Sequence, residues 1–167
     1  MPAQMFVMVY LVDTNKDNGC LKVIPRSHIE DHPLHEQIGK AHSDSLQQAK
    51  NLLSVEYQSH SDEVDVCVKA GDVVVGDSRI LHGAHANNSN ERRTLITLWF
   101  HPDYESIPEP VQGYIANLYQ HETQPLVESW PSDLAARLNQ LKPEYHGDAD
   151  PLQFSRDRLS HEAFFQA

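Results

Sequence analysis

Residues 6–12, FVMVYLV, form an uninterrupted apolar run of strand length without a helical period, which predicts a strand covered on both faces. Residues 13–19 are dense in turn formers and close on Asn18-Gly19, a pair suited to positive φ. Residues 20–24 then read as a partner strand, so a hairpin is expected across residues 6–24. Farther on, residues 62–68 alternate acidic and apolar side chains, the pattern of a half-buried strand. A turn at residues 69–72 leads into the apolar residues 73–75, which predicts a second hairpin. The short apolar step Arg79-Ile80-Leu81 closes on His82, a polar loop occupies residues 87–90, and residues 94–100 form a strong strand pattern. Many short strands separated by turn signals predict a mainly β fold, a sandwich or jelly roll.

Two stretches break this pattern. Within residues 30–58, Leu46, Ala49, Leu52 and Leu53 recur at helical spacing among polar residues, which predicts an inserted amphipathic helix. After residue 102 prolines punctuate the chain, and Ser132 with Asp133 caps an apolar pattern at residues 134, 135, 138 and 141. A helix is expected there and a weaker one over residues 111–119, while residues 143–167 carry no motif. The expected organisation is a core over residues 1–102, interrupted by a lid-like insertion at 30–58, and a helical C-terminal extension over 103–167.

Composition narrows the function classes. A chain of 167 residues is long enough to bury a real core. Its formal net charge of -11 argues against nucleic-acid and anionic-membrane partners, both of which require a positive surface. A small anionic ligand held by a few local arginines stays compatible with it. Cys20 and Cys67 are too few for a disulfide framework and read as buried free thiols in a reducing cytoplasm. Residues 1–5 lack a charged leader and residues 6–12 are too short for a signal or a membrane span, so a cytoplasmic location is expected.

The chemistry centres on residues 71–100, where His82 ends one strand and Arg93 stands at the mouth of the next. Facing one cavity, the imidazole could hold a metal and the guanidinium an anion. Spacing alone favours the plainer view, in which His82 is one of 11 histidines and Arg93 is solvated beside Arg92.

The motifs shift that balance. Asn18-Gly19-Cys20-Leu21-Lys22-Val23-Ile24-Pro25-Arg26-Ser27-His28 resembles the NG-x-L-x-x-IPGSH segment of the phytanoyl-CoA dioxygenase family. Residues 71–74, residues 77–83 with His82 and Gly83, then Asn87-Asn88-Ser89 and Arg93, resemble the second half of the same pattern, in the same order. The likeness covers roughly residues 5–102, and Arg26 stands where the family usually carries Gly.

The resemblance implies a partial double-stranded β-helix, or cupin-like jelly roll, housing an Fe(II)- and 2-oxoglutarate-dependent dioxygenase. Such an enzyme uses O2 to hydroxylate a small organic substrate, with release of succinate and CO2. It further implies that His82 ligates the metal and that Arg93 pairs with the 2-oxoglutarate carboxylate. Asn87 and Ser89 shape the loop between them, and Ser27 and His28 lie near the cavity wall. As an alternative for Ser27-His28, the serine caps a helix and His28 faces solvent.

This chemistry needs two His and one carboxylate on one face of the iron. The family's proximal His-x-Asp should precede the strand at residues 6–12, where this sequence has only its first residues, so an N-terminally truncated and inactive fragment is expected. Three His-x-Asp pairs do occur, at His42/Asp44, His60/Asp62 and His146/Asp148, against roughly one expected by chance. Each is a weak substitute. Since the missing carboxylate separates a hydroxylase from a halogenase, both outcomes stay open. Two other readings compete: a non-catalytic jelly-roll module binding a small acid through Arg93, and a cupin-type site joining His82 to His85. The second is disfavoured because residues three apart on a strand face opposite ways.

Overall fold

A computed structural model describes residues 2–38 and 53–152. Two compact units divide between Pro102 and Asp103. The first carries six strands: β1 (Met5–Tyr10), β2 (Leu21–Val23), β3 (Val64–Val66), β4 (Val73–Asp77), β5 (His82–Ala84) and β6 (Leu95–Phe100). They form two three-stranded antiparallel sheets, ordered β4-β1-β6 and β3-β2-β5. This is a partial double-stranded β-helix, as the strand pattern and the motifs predict.

The pairing differs from both expected hairpins. β1 and β2 lie in different sheets, so residues 6–24 are a crossover, and the same holds for β3 and β4. The physical reason lies in the turns. Asn15 N–H donates to Asn18 Oδ1 (2.8 Å) and Asn18 Nδ2 donates to the Asp13 carbonyl (2.9 Å), so the turn closes on itself. Thr14 bridges to Val68, just past β3, and carries the chain away from β1. Gly19 does adopt positive φ (+93°), but it serves this crossover. The second crossover is stapled to the first, because Asp13 accepts from Lys69 Nζ (2.8 Å) and Ala70 N–H (2.9 Å).

β1 is the central strand of its sheet, with Phe6 opposite Gly76 and Trp99, and Val7 opposite Val75 and Leu98. Phe6, Met8 and Tyr10 alternate onto one face, where Phe6 and Tyr10 are fully buried. The Phe6 ring lies over Gly76, where any side chain would collide with it, and meets Trp99 edge-on at 5.9 Å between centroids. The opposite face is aliphatic and half-exposed: Val73, Val75, Ile96 and Leu98 are 45–55% accessible. Cys20, Leu21, Ile24 and Leu34 complete the core of this unit.

The insertion contributes a short helix α1 (Leu34–Gln37) and a 3-10 turn (Val55–Tyr57). The helix expected around Leu46, Ala49 and Leu52 falls outside the described residues. In the second unit α2 (Glu109–Leu118) runs through a π turn (Tyr119–Thr123) into α3 (Gln124–Glu128), followed by α4 (Ser132–Leu138). Proline precedes or opens each of these three helices, where a missing N–H costs nothing. Tyr145 lies on Gly113 of α2, and Leu152 N–H donates to the Pro110 carbonyl (2.9 Å). Among the described residues no helix is long and apolar enough to cross a membrane.

Candidate functional site

His82 opens β5 directly opposite Val23 of β2. Its position is set from the neighbouring strand end. Ser27 Oγ accepts from Leu81 N–H (2.8 Å) and donates to the Ile24 carbonyl (2.8 Å), while Ile24 N–H donates to the Leu81 carbonyl (2.9 Å). The backbone entering His82 is therefore clamped from both sides. The His82 ring meets Phe6 of the other sheet at 5.6 Å between centroids, so it lies against the buried face of β1. Since the Ile80 carbonyl is an acceptor, the contact at 2.8 Å makes His82 Nδ1 the protonated nitrogen and leaves Nε2 with a free lone pair. That is the tautomer a metal ligand needs.

Arg93 precedes β6, and Leu11 N–H bonds to the Thr94 carbonyl (3.0 Å), which seats residue 93 beside the end of β1. Its Nη1 donates to the Gly19 carbonyl (2.8 Å). Burial pushes the Tyr10 phenol up, and the nearby Arg93 charge partly offsets this. Among the described residues no carboxylate lies within ion-pair distance of Arg93. Phe6 and Tyr10 share one face of β1: the His82 ring packs against the first, and the Arg93 charge is felt at the second, positions about 13 Å apart along the strand.

Asn87 and Ser89 brace their own loop. Asn87 Nδ2 donates to the Glu91 carbonyl (2.8 Å), its Oδ1 accepts from Ser89 N–H (3.0 Å) and Oγ (2.8 Å), and Ser89 Oγ accepts from Glu91 N–H (3.1 Å). Ser27 is buried and structural, not a helix cap. His28 is partly buried, and its Nδ1 has no hydrogen-bond partner among the described residues. Asp77 is raised by burial, yet the Arg79 fork (2.6 and 3.0 Å) outweighs this and holds the carboxyl below its ordinary range. At one departure from the family pattern, Arg26 adopts φ +67°, a left-handed conformation that glycine takes freely.

No described His-x-Asp pair joins His82. Asp62 pairs with His32 (3.0 Å), His60 Nε2 donates to the Val55 carbonyl (3.3 Å), and His146 faces Glu144 in the second unit. His42/Asp44 lies outside the described residues. Shared ligation by His82 and His85 is also ruled out, because His85 points to the other face and bonds Asp65 (2.6 Å). Cys20 is buried as expected, but Cys67 is exposed. Sequence reasoning did not find Phe6 and Tyr10, which read as ordinary core residues, nor the grouping of Cys20, Asp65 and His85.

The sequence profile of the phytanoyl-CoA dioxygenase (PhyH) family matches residues 2–95. Similar solved structures include iron-bound HygX from Streptomyces hygroscopicus, 22% identical, covering 60% of this chain and 38% of that one, with a TM-score of 0.47. EvdMO1 is 25% identical over 59% of this chain and 20% of its own, with a TM-score of 0.40. The non-heme alpha ketoglutarate dependent epimerase SnoN from nogalamycin biosynthesis is 24% identical over 58% and 32%, with a TM-score of 0.39. The chain thus spans well under half the length of these structures. No curated protein matches it.

Proposed function

We propose, since the chain belongs to the phytanoyl-CoA dioxygenase family, that it supplies the distal-histidine and cosubstrate-arginine part of an Fe(II)- and 2-oxoglutarate-dependent dioxygenase. The substrate would be a small organic molecule and the location cytoplasmic. The observation that supports this reading is the His82 ring against Phe6 on the buried face of β1, with the Arg93 charge felt at Tyr10 on that face. His82 offers a free Nε2, and Arg93 offers donors with no carboxylate partner among the described residues.

The described residues do not complete an iron site. The chemistry requires a second His and a carboxylate beside the first, and the His-x-Asp pairs within the described residues lie elsewhere. No step through the metal follows from this chain. Its own share is to hold one dicarboxylate by a charge-assisted hydrogen bond from Arg93, to present His82 Nε2 in the correct tautomer, and to keep both in register through Ser27, Asn87 and Ser89. The incomplete ligand set favours a second reading, a binding module that uses Arg93 alone.

Equilibrium binding of 2-oxoglutarate to the purified chain, with and without Fe(II), tests both. The dioxygenase reading expects binding that Fe(II) strengthens, that His82→Ala makes insensitive to iron, and that Arg93→Ala weakens by about 10-fold or more, the effect of losing a charged hydrogen bond. Binding that needs Arg93 but ignores iron and His82 selects the module. Absence of any Arg93-dependent binding rejects both.

A further inference from the structure

A second set of donors lies where β2, β3 and β5 meet, at the end of β5 opposite His82. β2 pairs Leu21 with Val66 on one side and with Ala84 on the other. One residue beyond this row, Cys20 falls between Cys67 and His85, and His85 N–H donates to the Cys20 carbonyl (3.0 Å). Asp65, two residues before Cys67, shares its face. Three strand ends therefore deliver two thiols, an imidazole and a carboxylate to one spot.

We propose that Cys20, Cys67, Asp65 and His85 form a site for a thiophilic divalent cation of the zinc class, separate from the dioxygenase site and independent of it. The ligating atoms of Cys20, Asp65 and His85 all lie within 4.8 Å of one another. Cys67 Sγ stands 3.8 Å from Cys20 Sγ. A tetrahedral centre with metal–sulfur bonds of about 2.3 Å separates its two thiolates by about 3.8 Å. His85 Nε2 and Asp65 Oδ1 now share a proton at 2.6 Å. Bonds of about 2.0–2.1 Å would set them about 3.3 Å apart, so the cation displaces that proton with a small opening of the pair.

Donor chemistry and charge agree with this choice. Two sulfurs and a nitrogen exclude calcium and magnesium, which take oxygen ligands. Lys16 Nζ holds the other carboxylate oxygen, Asp65 Oδ2, at 2.7 Å and leaves Oδ1 on the His85 side. Two thiolates and one carboxylate are balanced by a dication and the Lys16 ammonium. Cys20 is wholly buried while Cys67 is open to solvent, so the site has a floor and an entrance.

The test is titration of the reduced, purified chain with Co(II), whose thiolate complexes absorb strongly in the near ultraviolet. Expected is a saturable thiolate-to-metal band with tetrahedral visible transitions, displaced by Zn(II) and unchanged in His82→Ala. His85→Ala and Cys67→Ser, which lie outside the core, should abolish or sharply weaken it while circular dichroism stays native. The proposal is overturned by absence of the band in the folded reduced chain, by its survival in both variants, or by its dependence on His82. It is equally overturned if the two thiols prove to be joined as a disulfide and the reduced chain takes up no metal. None of these outcomes bears on 2-oxoglutarate binding, so the two readings fail separately.

Discussion

Replacing Ser27 by Ala isolates the clamp that seats His82. Ser27 is 5% exposed and its hydroxyl makes two bonds, donating to the Ile24 carbonyl (2.8 Å) and accepting from Leu81 N–H (2.8 Å). Removing it deletes one ordinary hydrogen bond, about 1 kcal/mol, and strands a part-buried backbone donor, a further 1–3 kcal/mol or so. A loss of about 2–4 kcal/mol is expected. Urea unfolding followed by tryptophan fluorescence measures it, because Trp99 packs edge-on against Phe6 in the same unit. The midpoint should fall with little change in slope, and Ser27→Thr, which keeps the hydroxyl, should recover part of the loss. Because Leu81 is the residue before His82, Ser27→Ala should also weaken the iron dependence of 2-oxoglutarate binding under conditions where the variant is fully folded. A stability change below about 0.5 kcal/mol, the ordinary range for inconsequential surface substitutions, would refute the clamp.

Two further outcomes follow from the backbone and from burial. Arg26→Gly should raise the melting temperature by about 2–4 °C, since φ +67° strains any residue with a Cβ and the Arg26–Glu30 ion pair it removes is exposed; a fall on differential scanning calorimetry contradicts this. His101 is held below its ordinary pKa of 6.5 by burial, partly opposed by its hydrogen bond to the Ala3 carbonyl (2.9 Å). The unfolded chain then binds a proton there first, so this contribution is complete above about pH 6.5 and shrinks as pH falls through 6.5 toward the lower folded value. His101→Gln should flatten the stability profile between pH 7 and 5, and an unchanged slope there disproves the linkage.

What could be read from the sequence was what alternation and short-range turn chemistry encode. The apolar run at residues 6–12 marks β1, and alternation at residues 62–68 puts Asp65 and Cys67 on one face. The same parity sets His82 and His85 on opposite sides of their sheet. Which strands become neighbours was not legible. Asn18-Gly19 announces positive φ, yet the choice between a hairpin and a crossover is made by Thr14 reaching Val68 and by Asp13 reaching Lys69 and Ala70. The parts of the site that depend on those long-range choices stayed hidden for the same reason. Arg93 reaches Gly19, Ser27 holds Leu81, and Cys20 meets Cys67 only after both crossovers are in place.

The central place of β1 has a kinetic side. Both of its neighbours come late, β4 ending at Asp77 and β6 at Phe100, so β1 must wait for strands far along the sequence before its sheet can form. Pairing across such sequence distances is slow, on the order of milliseconds to seconds for folds dominated by it. During that wait the apolar run FVMVYLV lacks both of its sheet partners, and the yield of folded chain will be governed by how well it is shielded before residue 100 emerges.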